Sequence, residues 1–304
     1  MSSLNGGKLI GGNTDKDTTM NSQELVDILN VEQIDRYIFR GNTPDDWRKR
    51  VYGGQVLAQA MNAALRTVDN GRSAHSQHAY FLRPGNPNIP IIYEVDPIRD
   101  GKSFTTRRVV AIQNGKAIFN TSISFQIDEP GLCHQMAMPD VPKPKGLPSD
   151  EEYLIRLAEE YPNLVTPGMT ASQPIEIRRL HHIDPINPEP HRPETGLWMR
   201  AKHTLGDDPV IHQTMLTYLS DYYLMGTALL PHGVTFFNRN LQGASLDHAL
   251  YFHRDFRADE WLYYHMTSPV SHGSRGLNIG MIYTESGELV ASAVQEGLIR
   301  IHED

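Results

Sequence analysis

Asp221 is the residue of this chain least easily explained by structure alone. It stands within Val210 to Leu230, VIHQTMLTYLSDYYLMGTALL, a stretch with no other Asp, Glu, Lys or Arg. Leu216, Leu219, Tyr222, Leu224 and Met225 surround it in sequence. The pattern predicts one long buried helix. Asp208 can cap its start, Pro209 suits the first helical position, and Pro231 and Gly233 mark its end. A lone carboxylate in such a setting costs several kcal/mol unless it is paired, hydrogen-bonded or protonated. Asp221 is therefore either tied to a structural partner or used as an acid or base.

Other residues with chemical potential are weaker signals. Lys102, Arg107 and Arg108 lie in or beside the Gly101 turn, and Arg83 precedes Pro84-Gly85. Such a cluster can bind phosphate through charge-assisted bonds, or simply guard a strand edge. The chain has 14 histidines. His181-His182 with Asp184, and His248 with His253, are the pairs that invite a metal reading. No HExxH or comparable spacing accompanies them, so they read as structural or surface histidines and no metal or other cofactor is expected. Cys133, the single cysteine, excludes an intramolecular disulfide and a multi-cysteine metal site, and a reducing cytoplasm is the simplest setting. Its context, PGLCHQM, is not that of a nucleophile. There is no GxSxG elbow, P-loop or GxGxxG, which argues against an α/β-hydrolase, nucleotide hydrolysis and hydride transfer. A net charge of −8 lacks the footprint of a nucleic-acid binder.

The elements that must position Asp221 come in two similar sets. Residues 99–127 and 271–299 share a pattern in which Gly101 and Gly115 correspond to Gly273 and Gly287, each offset by 172 positions. Upstream, His78-Ala79-Tyr80-Phe81 resembles His248-Ala249-Leu250-Tyr251-Phe252 at an offset of 170. Asn114-Gly115 and Ser286-Gly287 read as turns between alternating strands. In the first half a helix from Gly53 to about Val68, rich in small side chains, precedes strands at His78–Leu82, Ile89–Arg99, Phe104–Gln113 and Ala117–Ile127. In the second, Leu197–His203 and the Asp221 helix precede Asp247–Arg254, Glu260–Ser268, Leu277–Thr284 and Leu289–His302. A central helix wrapped by a curved antiparallel sheet, made twice, is an α+β arrangement.

The 304 residues divide accordingly. Residues 1–20 read as a disordered tail without the apolar core of a signal peptide. Residues 21–128 form the first unit, 129–174 a Pro-rich connector and 175–304 the second unit. Ser149 and Glu152 form a capping box that opens a short connector helix to Tyr161. No apolar run reaches membrane-spanning length.

VYGGQVLAQAM (51–61), HSQHAYFLRPG (75–85), RDGKSFTTRRVVAIQNGK (99–116), SDYYL (220–224), SLDHALYFHR (245–254) and SAVQEGLIR (292–300) carry a resemblance. Together they resemble the type II acyl-CoA thioesterases, the TesB-like family, from about residue 22 to residue 302. The resemblance implies a tandem (double) hotdog fold and hydrolysis of medium- to long-chain fatty acyl-CoA to free acid and CoA. The family's Asp, Thr or Ser, and Gln, which hold the attacking water, fall on Asp221, Ser245 and Gln295. Ser245 keeps the hydroxyl of the more usual threonine and loses its stiffening methyl. On their own, Ser245 reads as a cap and Gln295 as one position of an alternating strand.

Thioester hydrolysis needs a positioned water, an acceptor for its proton and donors for the developing oxyanion. Asp221 can take the proton, as general base or through an anhydride. The Gly54 and Gln55 amides, at the start of the first-half helix, are the expected oxyanion donors. Arg83, Lys102, Arg107 and Arg108 are the candidates for the CoA phosphates. Competing readings are a hotdog-fold enoyl-CoA hydratase or dehydratase, which requires a His beside the acid, and a non-catalytic acyl-CoA sensor. On family grounds a homodimer or homotetramer is expected, with no nucleic-acid or membrane partner. The C-terminus lacks a Ser-Lys-Leu address, which fits a cytoplasmic setting.

Overall fold

The structure, a computed structural model, describes residues 20–44, 48–69 and 71–303. The polar segment read as a tail lies outside these residues up to residue 19. The first half begins with α1 (Ser22–Leu29), an element the sequence reading had not singled out, started by an Asn21–Glu24 capping box. Short strands β1 (Glu32–Asp35) and β2 (Ile38–Gly41) follow. Next come α2 (Gly53–Leu65), then β3 (Arg72–Phe81), β4 (Ile91–Asp100), β5 (Phe104–Gln113) and β6 (Lys116–Ile127). Helix α2 is buried from Gly54 to Ala64 and packs on β3, β4, β5 and β6. Its alanines let the sheet close around it. Its buried amides are satisfied locally: Gln59 Nε2 donates to the Ile28 and Asn42 carbonyls at 2.7 and 2.8 Å, and its Oε1 accepts from Tyr93 Oη at 2.7 Å.

The connector contains α3 (Asp150–Glu160), started by the expected Ser149–Glu152 capping box, and α4 (Pro167–Thr170). The second half contains β7 (Ile175–Arg179), β8 (Glu194–Ala201), α5 (Pro209–Leu219) and a 3-10 helix, Leu224–His232. It is completed by β9 (Leu241–Ser245), β10 (Asp247–Phe252), β11 (Leu262–His272), β12 (Arg275–Thr284) and β13 (Leu289–Ile301).

One antiparallel sheet runs through both halves in the order β1-β2-β4-β5-β6-β3-β10-β13-β12-β11-β8-β7, with β9 also on β13. The second half repeats the first in mirror order outward from the β3–β10 seam. At the seam His248 pairs with Ala79 and Ala249 with His78, so the two copies of the His-Ala repeat lie against each other. Each half wraps a helix, and the whole is the tandem hotdog.

The long helix expected over Val210–Leu230 is not continuous. It ends at Leu219, turns through Asp221–Tyr223 and resumes as the 3-10 helix. The cause is side-chain competition for its backbone. The Ser220 carbonyl, which a continuing helix would offer to Leu224, accepts instead from Tyr264 Oη at 2.8 Å. Thr217 and Ser220 hydroxyls donate back to the Gln213 and Thr217 carbonyls at 2.7 and 2.8 Å. Tyr223 then takes a left-handed conformation, φ 61° and ψ −10°. The 3-10 helix packs on β8, β11, β12 and β13, where α2 sits in the first half, while α5 lies against α1 and α2.

Candidate active site

The break in the helix places Asp221 against the first turn of α2. The Gly54 N–H donates to Asp221 Oδ2 at 2.9 Å. From the other side Gln295 Nε2 donates to Asp221 Oδ1 at 2.5 Å and to Ser245 Oγ at 3.1 Å. The three residues singled out from the resemblance are thus within hydrogen-bonding reach of one another. They come from the end of α5, the end of β9 and the middle of β13. Gln295 is completely buried, opposite Asn278 of β12, whose Nδ2 donates to the Gln295 carbonyl at 3.3 Å. Both amide protons of Gln295 are committed, and its buried Oε1 has no protein partner.

Burial pushes the Asp221 carboxyl up to about 6, against the opposing bonds from Gln295, Gly54 and Ser245. These donors are neutral, so they orient the carboxylate without supplying a full positive charge. Tyr52 and Tyr264 stand close enough that burial, and then the Asp221 charge, raise their hydroxyls well above the usual phenol range. A carboxylate of this kind is mostly ionised at neutral pH yet basic enough to take a proton from an adjacent water.

A second layer fixes the residue before Asp221. His248 Nε2 lies 3.0 Å from Ser220 Oγ, and Ser220 gives its own proton to the Thr217 carbonyl. The network therefore requires the Nε2–H tautomer of His248. Burial holds this ring down at about 3, and its Nδ1 has no partner. It is a neutral positioning histidine that reaches Asp221 only through Ser220. The sequence marks His248 through the His-Ala repeat and does not reveal its link to Ser220. Tyr264 and the carboxylate-holding role of Gly54 also escape a sequence reading.

The expected oxyanion donors have other partners. The Gly54 amide holds Asp221, the Gln55 amide donates to the Tyr52 carbonyl at 3.1 Å, and the Gln55 side chain binds Asn42 and Thr43. The basic residues also separate. Arg107, 3% exposed, binds Asp100 and Thr67 beyond the C-terminal end of α2, the end away from Gly54. Arg108 pairs with exposed Asp96, and Lys102 is exposed in a turn held by Arg72. Arg83 follows the end of β3 whose Phe81 ring lies beside Gly53, and it donates to the Ala117 carbonyl at 2.6 Å. Lys102, Arg107 and Arg108 are not brought to Asp221. Among the described residues no group of three or more His, Cys, Asp or Glu could hold a metal ion. Among them, too, no helix is long and apolar enough to cross a membrane.

Known proteins resemble this chain over most of its length. A sequence model of the acyl-CoA thioesterases matches residues 190–298, and one of the acyl-CoA thioesterase N-terminal domain matches residues 43–126. Acyl-CoA thioesterase 2 of Haemophilus influenzae is 37% identical over 92% of this chain and 98% of its own. Human acyl-coenzyme A thioesterase 8 is 37% identical over 97% of this chain and 94% of its own. Among solved structures, acyl-CoA thioesterase II from Mycobacterium marinum is 40% identical with a TM-score of 0.75, covering 91% of this chain and 98% of that one.

Proposed function

The chain belongs to the acyl-CoA thioesterase family and hydrolyses acyl-CoA thioesters, and from that premise we propose that Asp221, Ser245 and Gln295 are its catalytic residues. The observation that carries the proposal is the carboxylate raised to about 6 and held by the Gln295 and Gly54 donors. Ser245 Oγ accepts from Gln295, so its proton is available to a water or to the carboxylate. Gln295 Oε1 offers a further acceptor.

In this reading a water held among the three gives its proton to Asp221 while its oxygen adds to the thioester carbon. The tetrahedral intermediate collapses, the carbon–sulfur bond breaks, and Asp221 returns the proton to the CoA thiolate. Protonation also weakens the hold of Asp221 on the Gly54 N–H. That amide, at the positive end of α2, then becomes available to the oxyanion. A general base suits a group with a pKa just below neutrality.

We extend the reading to medium and long acyl chains, to a cytoplasmic setting and to a homodimer or homotetramer. An exposed Cys133 thiol fits a reducing compartment. The division into 21–128, 129–174 and 175–304 remains our domain assignment. Release of CoA thiol from an acyl-CoA chain-length series, with the protein and its Asp221→Asn variant compared, tests the catalytic assignment. Near-normal turnover by a folded variant would overturn it. Light scattering tests the oligomer.

A further inference from the structure

Among the described residues three that are not glycine have a positive φ: Asn114, Tyr223 and Ser274. Asn114 and Ser274 stand beside Gly115 and Gly273 in two-residue hairpin turns, where both central residues need that conformation. Tyr223 is in no such turn. In the left-handed region the Cβ of its large side chain crowds the backbone, so contacts beyond the local chain must hold it there. Core packing does not do so, since Tyr223 is 38% exposed.

The hold comes from the connector and from β7. Tyr223 Oη donates to Asp150 Oδ2, on the first residue of α3. Asp150 Oδ1 accepts from Arg179 Nε at 2.6 Å, and the Arg179 guanidinium lies over the Tyr223 ring at 5.0 Å. Arg179 ends β7 and Asp150 follows the Ser149 cap, so both are anchored on regular elements. Asp150 is buried, and each of its oxygens has a donor. A carboxylate fixed in this way is a stiff anchor for the phenol.

Tyr223 lies two residues after Asp221. On the other side of the acid, Tyr264 of β11 and His248 of β10 hold Ser220. Asp221 thus stands in a short turn between two fixed points. Release of Tyr223 to the right-handed region would rotate this turn. The carboxylate would then leave Gln295 Nε2 and the Gly54 N–H, now at 2.5 and 2.9 Å.

We propose that Asp150 is a positioning residue for the reaction: by holding Tyr223 left-handed through its hydroxyl, it fixes the Asp221 turn from the connector. The inference rests on Asp221 being the reacting group. It gives the connector a part in turnover besides joining the two halves.

Three substitutions in the full chain test it, with kcat and KM measured on one acyl-CoA. Tyr223→Phe removes the hydroxyl and leaves the Asp150–Arg179 pair in place, whereas Asp150→Ala removes the anchor. Each is expected to lower kcat about tenfold with KM within about twofold, and the double variant no further, because both act through one bond. Tyr223→Gly adopts the left-handed conformation without an anchor. It should therefore turn over faster than Tyr223→Phe, and adding Asp150→Ala to it should leave kcat unchanged. The proposal is overturned by an unchanged kcat in folded Tyr223→Phe, by a change confined to KM, by losses that multiply, or by a glycine variant no faster than the phenylalanine one. If Asp150→Ala fails to fold, the two Tyr223 variants carry the test. A crystal structure of Tyr223→Phe reads the backbone independently of activity. Should residue 223 leave the left-handed region and Asp221 leave Gln295 while Asp221→Asn retains turnover, the catalytic reading fails and the anchor stands. Should Asp221→Asn be inactive while Tyr223→Phe keeps both its φ and its kcat, the reverse holds.

Discussion

The two halves wrap different helices and contribute opposite groups to one site. In the first half Tyr52 is extended (φ −68°, ψ 134°) and leads into a 13-residue α-helix whose first turn points the Gly54 N–H outward. In the second half Tyr223 is left-handed and leads into a 9-residue 3-10 helix, with Asp221 just before it. Shifted back by the 172 positions that separate Gly287 from Gly115, Gln295 falls on Ile123, which is also fully buried. Shifted by the 170 that separate His248 from His78, Ser245 falls on His75, beside the bulge in β3. The repeat thus preserves burial and sheet irregularity while exchanging apolar or unrelated groups for reactive ones. One half supplies a donor and the other an acid at the same place, which is the basis for expecting one centre per chain.

Removing the acid should have the largest effect. Asp221→Asn is expected to lower kcat by roughly 10²–10⁴, the range of a positioned general base. In the unaltered protein, kcat/KM should fall as pH drops through about 6, because protonated Asp221 cannot accept the water proton. An acid limb near the ordinary carboxylate range of about 4 would detach the activity from this residue. Gln295→Ile makes the second half match Ile123 of the first. Loss of a charge-assisted bond worth about 1.5–3 kcal/mol predicts a 10- to 100-fold lower kcat. Because Gln295 opposes the rise in the Asp221 pKa, the acid limb should also move to higher pH. A rate loss with an unmoved limb would make Gln295 a packing residue.

Adjacent glycines of α2 separate position from stability. A Cβ on Gly54 would stand 2.4 Å from the Tyr218 carbonyl oxygen, so backbone must move. Gly54→Ala is expected to lose about 1–3 kcal/mol in denaturant unfolding as well as turnover. A Cβ on Gly53 meets Asp221 Oδ2 at 2.7 Å and the Phe81 ring at 3.1 Å, both side chains. Gly53→Ala should therefore leave stability within about 1 kcal/mol and lower kcat about tenfold, by displacing the carboxylate. Equal stability losses would show that the helix start is structural throughout.

The sheet was legible because alternating strands and the Asn114-Gly115 and Ser286-Gly287 turns act locally, and β5 begins and ends at the residues the pattern marks. The break after Leu219 was not, since its cause is a tyrosine hydroxyl 44 residues away. Asp221 stood out by itself, as a charge without a local partner. Ser245 and Gln295 look like a cap and a strand residue until β9 and β13 pair Ser245 with Gly297. Arg107 was ambiguous for the same reason: Thr67, one of its partners, lies 40 residues away.

The smallest effect is expected at Ser245, where the second half departs least from a workable alternative. Ser245 ends β9, and the strand resumes at Asp247 after Leu246, whereas β3 runs unbroken with only a bulge at His75. Ser245→Thr keeps the hydroxyl that accepts from Gln295 and adds a methyl that narrows χ1 and suits a strand end. Turnover is expected within about threefold of the parent, with a stability gain below about 1 kcal/mol. Ser245→Ala removes the acceptor and should cost about tenfold in kcat. If both variants lose activity equally, the site depends on the exact strand geometry at the kink and not on the hydroxyl. If only alanine does, the hydroxyl belongs to the water-holding group, and the kink serves to aim it.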